Sequence, residues 1–346
     1  MQHVQHIEEI PKTEHPVVLA MGCFDGVHLG HQKVISTAVE QAAALGGEAW
    51  VFTFNPHPAK VLVPETAPAL ISAAPCRMRK LEELGVHGVI EIPFNETYAH
   101  IEPDAFLSNL WKKMPTLSGI VCGTDWSFGH RAAGTFQTLE KLCAEYGITA
   151  TAIPPVLYDG EKISSTHIRQ AVAEGNIPLA EELLGRPFCI FGTVVHGENI
   201  GRELGYPTAN VEPENELIPA DGIYAAYTRV ESRKSKIKSQ DSPSTFDPRP
   251  STLQIPSAVF IGKRKTFEGK HRVIESYLLD FDGDLYGQAI EVCLVKKTRD
   301  VTPFPSEEAL VEQIGKDVAQ IRAVLKNGHG PEWFTPFILV SPSSAC

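Results

Sequence analysis

The run Pro16-Val17-Val18-Leu19-Ala20-Met21-Gly22-Cys23-Phe24-Asp25-Gly26-Val27-His28-Leu29-Gly30-His31 decides the fold. Its first part is a short unbroken apolar run, too brief for a helix and suited to a strand buried on both faces. Gly22 ends that strand, and a helical apolar pattern follows over 31–45, stopped by Gly46-Gly47. The alternation repeats outward, with strands predicted at 49–54, 88–92, 119–122 and 148–153 and helices at 72–84, 103–114 and 136–146. Ser72 is expected to cap the first of these helices, Gly85 to end it, and Pro103 to open the next. Such a sequence predicts an α/β fold with a doubly wound parallel sheet, which binds ligands at the carboxyl ends of its strands. The turns at 22–31 and 54–58 both fall at such ends.

A single helical stretch, 166–184, closes this half. From 187 the texture changes to β-rich segments at 188–195, 223–230, 257–261, 271–279 and 288–295, separated by Gly, Pro and Asp turns. They predict a small antiparallel barrel. The segment 306–325 is an amphipathic helix with Leu310, Ile314, Val318, Ile321 and Leu325 on one face. The stretch 232–252 is rich in Ser, Lys and Pro and reads as a flexible insertion. Its cluster Arg233, Lys234, Lys236 and Lys238 reads as a solvated loop rather than a binding patch. Two domains, 1–186 and 187–330, are therefore expected, with a tail at 331–346 whose Trp333-Phe334 and Phe337-Ile338-Leu339 are apolar enough to pack.

Composition narrows the class. The 346 residues are 43% hydrophobic and 21% charged, with a formal net charge of −11. No apolar run is long enough to span a bilayer, and the polar start does not resemble a signal peptide. No stripe of Lys and Arg offers a nucleic-acid surface, and no membrane partner is expected. The seven cysteines (23, 76, 122, 143, 189, 293 and 346) are scattered without a Cys-x-x-Cys. That pattern fits a reduced cytoplasm, with neither a disulfide framework nor a zinc site expected.

His28 and His31 bracket the helix start at a spacing that turns both imidazoles one way, beside free backbone N–H groups and the positive end of the helix dipole. This suits ATP phosphates and a departing pyrophosphate. A surface histidine pair is the plainer alternative. Three further stretches follow strands or open a helix. Phe54-Asn55-Pro56-His57-Pro58 is a proline-fixed loop. Gly123-Thr124-Asp125-Trp126-Ser127-Phe128-Gly129 offers a carboxylate and aromatic surface for a planar ring. Ser164-Ser165-Thr166-His167-Ile168-Arg169 opens a helix, where Ser165 and Thr166 can cap it or meet phosphate and Arg169 adds a cation. Taken alone, the hydroxyls read more simply as an ordinary cap.

Together these four stretches resemble the motif blocks of the adenylyltransferase module of prokaryotic bifunctional riboflavin kinase/FAD synthetases. The resemblance implies a nucleotidyltransferase fold in which Gly22, Phe24, Asp25, His28, His31, Ser165, Thr166 and Arg169 contact ATP. It also implies that Phe54, Asn55, Pro56, His57, Pro58, Asp125 and Phe128 border the flavin. Trp126 stands where that family usually has Phe, and His167 where a second Arg is common.

The second half carries His196-Gly197, then Gly201-Arg202-Glu203-Leu204-Gly205-Tyr206-Pro207-Thr208-Ala209-Asn210. Its glycines allow close backbone approach to a ligand. Arg202 can pair with phosphate, and Thr208 and Asn210 offer two oxygens for Mg²⁺. A glycine-rich hairpin with a polar end is the alternative. Glu275 sits in an otherwise apolar strand, where a lone carboxylate is costly unless paired or functional. This half resembles the riboflavin kinase module, a six-stranded barrel, over about 188–325. The resemblance makes Glu275 the general base and Gly201, Arg202, Gly205, Pro207, Thr208 and Asn210 the nucleotide site. Lys265-Thr266-Phe267 stands where that module usually has Pro-Thr-Phe.

The two resemblances together imply an enzyme with two Mg²⁺-dependent steps, riboflavin to FMN and FMN to FAD, each using ATP. His28, His31, Arg169 and Glu275 are its expected catalytic residues. Its expected partners are these small molecules, with oligomerisation left open. A cytidylyltransferase acting on a small alcohol phosphate, or a degenerate flavin- or nucleotide-binding sensor, are the alternatives.

Overall fold

The structure, a computed structural model, describes residues 1–10, 12–198, 200–231, 252–266 and 269–327. Of the expected insertion at 232–252 all but Thr252 lies outside the described residues, as do Phe267 and the tail at 331–346. The chain divides into two compact units, Met1–Arg169 with Leu183–Gly185, and Gln170–Glu182 with the residues from Arg186 onward.

The first unit is built on strands β1 (Gln2–Val4), β2 (Val17–Met21), β3 (Glu48–Phe54), β4 (Gly88–Ile92), β5 (Leu117–Gly123) and β6 (Thr149–Ile153). They lie in the order β1-β4-β3-β2-β5-β6, and every pairing is parallel. Every residue of β2 is buried, and alternate side chains enter two separate cores: Val17, Leu19 and Met21 on one face, Val18 and Ala20 on the other. Burial on both faces is what an unbroken apolar strand requires.

Helices α1 (Leu29–Ala44), α2 (Pro58–Leu62), α3 (Ala74–Glu83), α4 (Glu96–Ala99), α5 (Pro103–Lys113) and α6 (Phe136–Glu145) connect the strands. The chain runs outward from β2 through β3 to β4, then returns to place β5 on the other side of β2. The switch point of the sheet therefore lies between β2 and β5, where doubly wound sheets hold their ligands. Two small elements carry no sequence signal. Strand β1 is three residues long, and the hairpin β7 (Leu157–Tyr158) and β8 (Glu161–Lys162) has only two residues a side.

Two helix starts differ from expectation. The N-cap of α3 is Ala73, one residue beyond Ser72, and it makes no side-chain cap; Pro75 preorganises the first turn instead. The stretch 166–184 is two helices, α7 (Ser165–Ala173) and α8 (Ile177–Leu184). Gly175 takes the left-handed conformation (φ 77°) and the Asn176 side chain accepts the Leu179 N–H at 3.3 Å, ending one helix and capping the next. The apolar period runs through this break, which hides it.

The second unit is a closed barrel of six antiparallel strands, β9 (Phe188–Val195), β10 (Ala209–Pro213), β11 (Gly222–Glu231), β12 (Thr252–Thr266), β13 (Gly269–Leu278) and β14 (Ala289–Arg299), in the order β10-β13-β12-β11-β14-β9. Five of them carry their own apolar signal in the sequence. Strand β10 does not, because Ala209-Asn210-Val211-Glu212-Pro213 has little apolar content. A short helix, α9 (Ile200–Glu203), precedes β10, and α10 (Glu307–Asn327) packs Ile321 and Leu325 onto Ala225 and Leu279.

Candidate active sites

The first site grows from the end of β2. Phe24, Gly26 and Val27 take left-handed backbone conformations (φ 49°, 81° and 41°), a strained arrangement for a bulky and a β-branched residue. At Gly26 the backbone passes so close to Ile71 that a β-carbon would lie 3.0 Å from it. The turn delivers His28 as the N-cap of α1, with Nδ1 accepting the His31 N–H at 3.3 Å. A ring nitrogen that accepts carries no proton, so the His28 proton sits on Nε2. The two imidazoles stack at 3.6 Å, tilted by 18°, and Phe24 meets His31 edge-on at 5.3 Å.

Asp25 ties three segments together. Its buried carboxylate accepts the Ile71 N–H (2.9 Å) and Arg169 Nη2 (2.6 Å), and its carbonyl accepts the Ser165 hydroxyl (3.2 Å). Arg169 Nε donates to the Ala69 carbonyl at 2.8 Å. Burial pushes the Asp25 carboxyl up against the opposing pull of Arg169 and the Ile71 amide. The cap of α7 is Ser164, whose hydroxyl accepts the His167 N–H at 3.2 Å, rather than Ser165 or Thr166. Ser165 points to Asp25 instead, and Thr166 is exposed.

The 54–58 loop contains a cis Asn55–Pro56 bond. It ends in His57, the N-cap of α2, whose Nδ1 accepts the Ala59 N–H at 3.2 Å. Pro58 is the first residue of that helix. Burial holds the His57 imidazole below its usual range. Phe54 is half-buried, edge-on to Phe52, Phe94 and Tyr98. Beyond β5, Asp125 is exposed and paired with Lys162 of β8, which holds its carboxyl below the usual range. Phe128 is buried beneath Trp126, their rings stacked at 4.9 Å, and it packs on Phe106. The half-exposed Trp126 thus presents the aromatic surface, supported from below by Phe128.

The second site lies on the barrel. Asn210 and Glu275 are direct partners across β10 and β13, and Glu275 is buried. Two glycines shape the surroundings. A β-carbon on Gly197 would lie 2.2 Å from the Asn210 amide nitrogen, and one on Gly201 would lie 3.0 Å from Thr208 Oγ1. Arg202, Gly205 and Pro207 are exposed around this recess.

Thr208 and Glu275 line a cavity of about 270 Å³. Its walls are Ile223, Val259, Phe260 and Tyr277 of the barrel and Leu310, Ile314 and Val318 of α10. The apolar stripe of α10 is therefore divided: its first part faces the cavity, and Ile321 and Leu325 fill the core. Arg299 and Asp317 add a polar edge that the motifs did not reveal. Arg299 Nε and Nη2 donate to Asp317 at 2.9 and 2.7 Å, Gln313 donates to Asp317 at 2.8 Å, and the guanidinium lies 5.7 Å from the centre of the Phe304 ring. An apolar slot whose lining includes a carboxylate and a hydroxyl suits a flat hydrophobic ring carrying a hydroxylated chain.

Comparison with known proteins bears on both sites. Residues 10–167 match the FAD synthetase family model and residues 184–325 the riboflavin kinase model. The bifunctional riboflavin kinase/FMN adenylyltransferase of Escherichia coli strain K12 is 35% identical over 300 residues, 87% of this chain and 90% of that protein. The chain belongs to the bifunctional riboflavin kinase/FMN adenylyltransferase family. The Haemophilus influenzae member is 32% identical over 323 residues, 93% of this chain and 99% of its own. A crystal structure of a Streptococcus pneumoniae protein described as a macrolide-efflux protein matches with a TM-score of 0.78 and 30% identity, covering 94% of this chain and 99% of that one. Among the described residues no helix is long and apolar enough to cross a membrane. As a bifunctional riboflavin kinase/FMN adenylyltransferase, the enzyme phosphorylates riboflavin to FMN and adenylylates FMN to FAD, using ATP in both steps.

Proposed function

We propose that Glu275 is the base of the kinase step and that His28, His31 and Arg169 serve the adenylyl transfer. The observation that carries the first assignment is the pairing of Asn210 with Glu275 beside the cavity that Thr208 and Glu275 share. The isoalloxazine ring of riboflavin occupies that cavity, with its ribityl chain directed to Glu275. Glu275 takes the proton from the 5′-hydroxyl as its oxygen bonds to the γ-phosphorus of ATP and the bond to the β-phosphate oxygen breaks, giving FMN and ADP. Gly201, Arg202, Gly205 and Pro207 cradle the nucleotide.

The residues fit Mg²⁺. Gly197 and Gly201 leave recesses at Asn210 and Thr208 that a β-carbon would fill, and the donors there are oxygens, the ligands this hard cation takes. Thr208 and Asn210 would hold the ion, which when bound neutralises charge on the ATP phosphates.

In the first unit the FMN phosphate is already an anion and needs no strong base. One of its oxygens bonds to the α-phosphorus of ATP as the bond to pyrophosphate breaks. His28 donates from Nε2, and His31, the Gly22 turn and the dipole of α1 add positive potential where pyrophosphate charge develops. Asp25 and Ser165 position Arg169 and hold the turn. Phe24 supports His31, and Thr166 contributes a hydroxyl to the phosphates. The 54–58 loop with His57, Asp125 and the aromatic pair Trp126 and Phe128 borders the flavin. The described cysteines, all of them thiols, support a cytoplasmic setting. The test is to incubate the pure protein with riboflavin, ATP and Mg²⁺ and separate the products. Both FMN and FAD are expected, and unchanged riboflavin contradicts the proposal.

A further inference from the structure

Two cysteines distant in sequence meet on the barrel. Cys189 of β9 and Cys293 of β14 are direct cross-strand partners. They stand on the face of β9 that alternates away from the buried Phe188, Ile190 and Val194. Glu291 lies two residues from Cys293 on β14 and so on the same face. One ligand atom from each of Cys189, Glu291 and Cys293 lies within 4.8 Å of the others. A tetrahedral ion with sulfur at 2.3 Å separates its ligands by about 3.8 Å, so closing the site takes side-chain adjustment of about 1 Å and no backbone movement. The two strands are already fixed by the barrel ladder.

Ligand chemistry decides which ion fits. Arg229, directly across from Glu291 on β11, donates to Glu291 Oε2 at 3.1 Å and sets a half-buried cation beside that buried carboxylate. The two thiols lie within hydrogen-bonding reach of each other. A dication that displaces two thiol protons leaves the net charge of the site unchanged. A carboxylate beside two sulfurs favours a borderline divalent ion over a soft monovalent one. Mg²⁺ prefers an all-oxygen shell, and thiolates select softer ions.

We propose that Cys189, Cys293 and Glu291 form a binding site for a thiophilic divalent cation of the zinc class, on the wall of the barrel and separate from the Thr208–Asn210 recess. Two thiolates and a carboxylate supply three ligands, and water or the second carboxylate oxygen supplies the fourth. The ion staples β9 to β14. Binding exchanges one M²⁺ for two H⁺, with no change in oxidation state.

The test uses the full chain, stripped with a chelator, reduced, and kept in excess Mg²⁺. Zn²⁺ is titrated against a chromophoric competitor in weak buffer while proton release is followed. Cd²⁺ is titrated in parallel for its sulfur-to-metal charge-transfer absorption. One ion per chain, about two protons released per ion and a thiolate band are expected. Cys189→Ser, at a half-exposed position, should lose the band and release no more than half the protons. Failure of the wild type to take Zn²⁺ from the competitor overturns the proposal. So does a band of undiminished strength in Cys189→Ser, since it would belong to other thiols.

Discussion

Asn210 and Glu275 face each other across β10 and β13, joining two parts of the sequence that share no local signal. The pairing sets a candidate metal ligand beside a candidate base that lines an apolar cavity. Closeness of that kind gives the kinase its geometry, because a base must stand within hydrogen-bond reach of the hydroxyl it deprotonates.

Gly197→Ala tests how tightly this geometry is held. Its β-carbon would stand 2.2 Å from the Asn210 amide, forcing that side chain away. Kinase activity should fall about a hundredfold or more, since small misplacements at a reacting centre have that effect. Conversion of FMN to FAD should continue. Rates measured separately from riboflavin and from FMN check this.

The two parts of the α10 stripe should respond differently to truncation. Ile321 is fully buried, and Ile321→Ala should lower stability by about 2–5 kcal/mol, read as a fall in Tm. Ile314 lines the cavity, and Ile314→Ala should raise the KM for riboflavin with a much smaller change in Tm. Equal losses of stability from both would place Ile314 in the core.

Breaking the Asp25–Arg169 pair should unsettle the whole first site. Arg169→Ala leaves a buried carboxylate without its cation, a change worth about 3–5 kcal/mol in comparable pairs. Asp25→Asn with Arg169→Ala should recover part of that loss in Tm without restoring FAD formation.

His57 should make the first unit sensitive to acid. Its folded value lies below the usual 6.5, chiefly through burial, so the native state binds fewer protons than the unfolded chain. Its stabilising contribution is complete above 6.5 and is lost as pH falls from there through the lowered folded value. Protonation at Nδ1 would also remove the acceptor for Ala59. Tm should decline on acidification through this window, and His57→Asn, which keeps a capping acceptor, should flatten the decline.

The sequence was most informative where one segment carries its own signal. The apolar run at 17–21 with Gly22 after it located β2, the turn and α1, and the repeated alternation gave the parallel sheet. The features that escaped depend on partners far along the chain. Strand β1 exists because β4 offers it an edge, and β10 because β9 and β13 flank it. The stripe on α10 read as one face because periodicity reports burial without saying whether a side chain meets core or cavity. The choice among Ser164, Ser165 and Thr166 as cap depended on Asp25, which draws Ser165 away. Cys189 and Cys293 met only through the barrel register.

The most direct test of the account is Glu275→Gln assayed in two halves, with ATP and Mg²⁺ present in both. Started from riboflavin, the variant should form FMN more slowly by about 10²–10⁴-fold, the usual contribution of a general base. Started from FMN, it should form FAD at the wild-type rate. Undiminished FMN formation, or loss of both activities in a variant of unchanged Tm, would contradict two separate sites with Glu275 as the base of one.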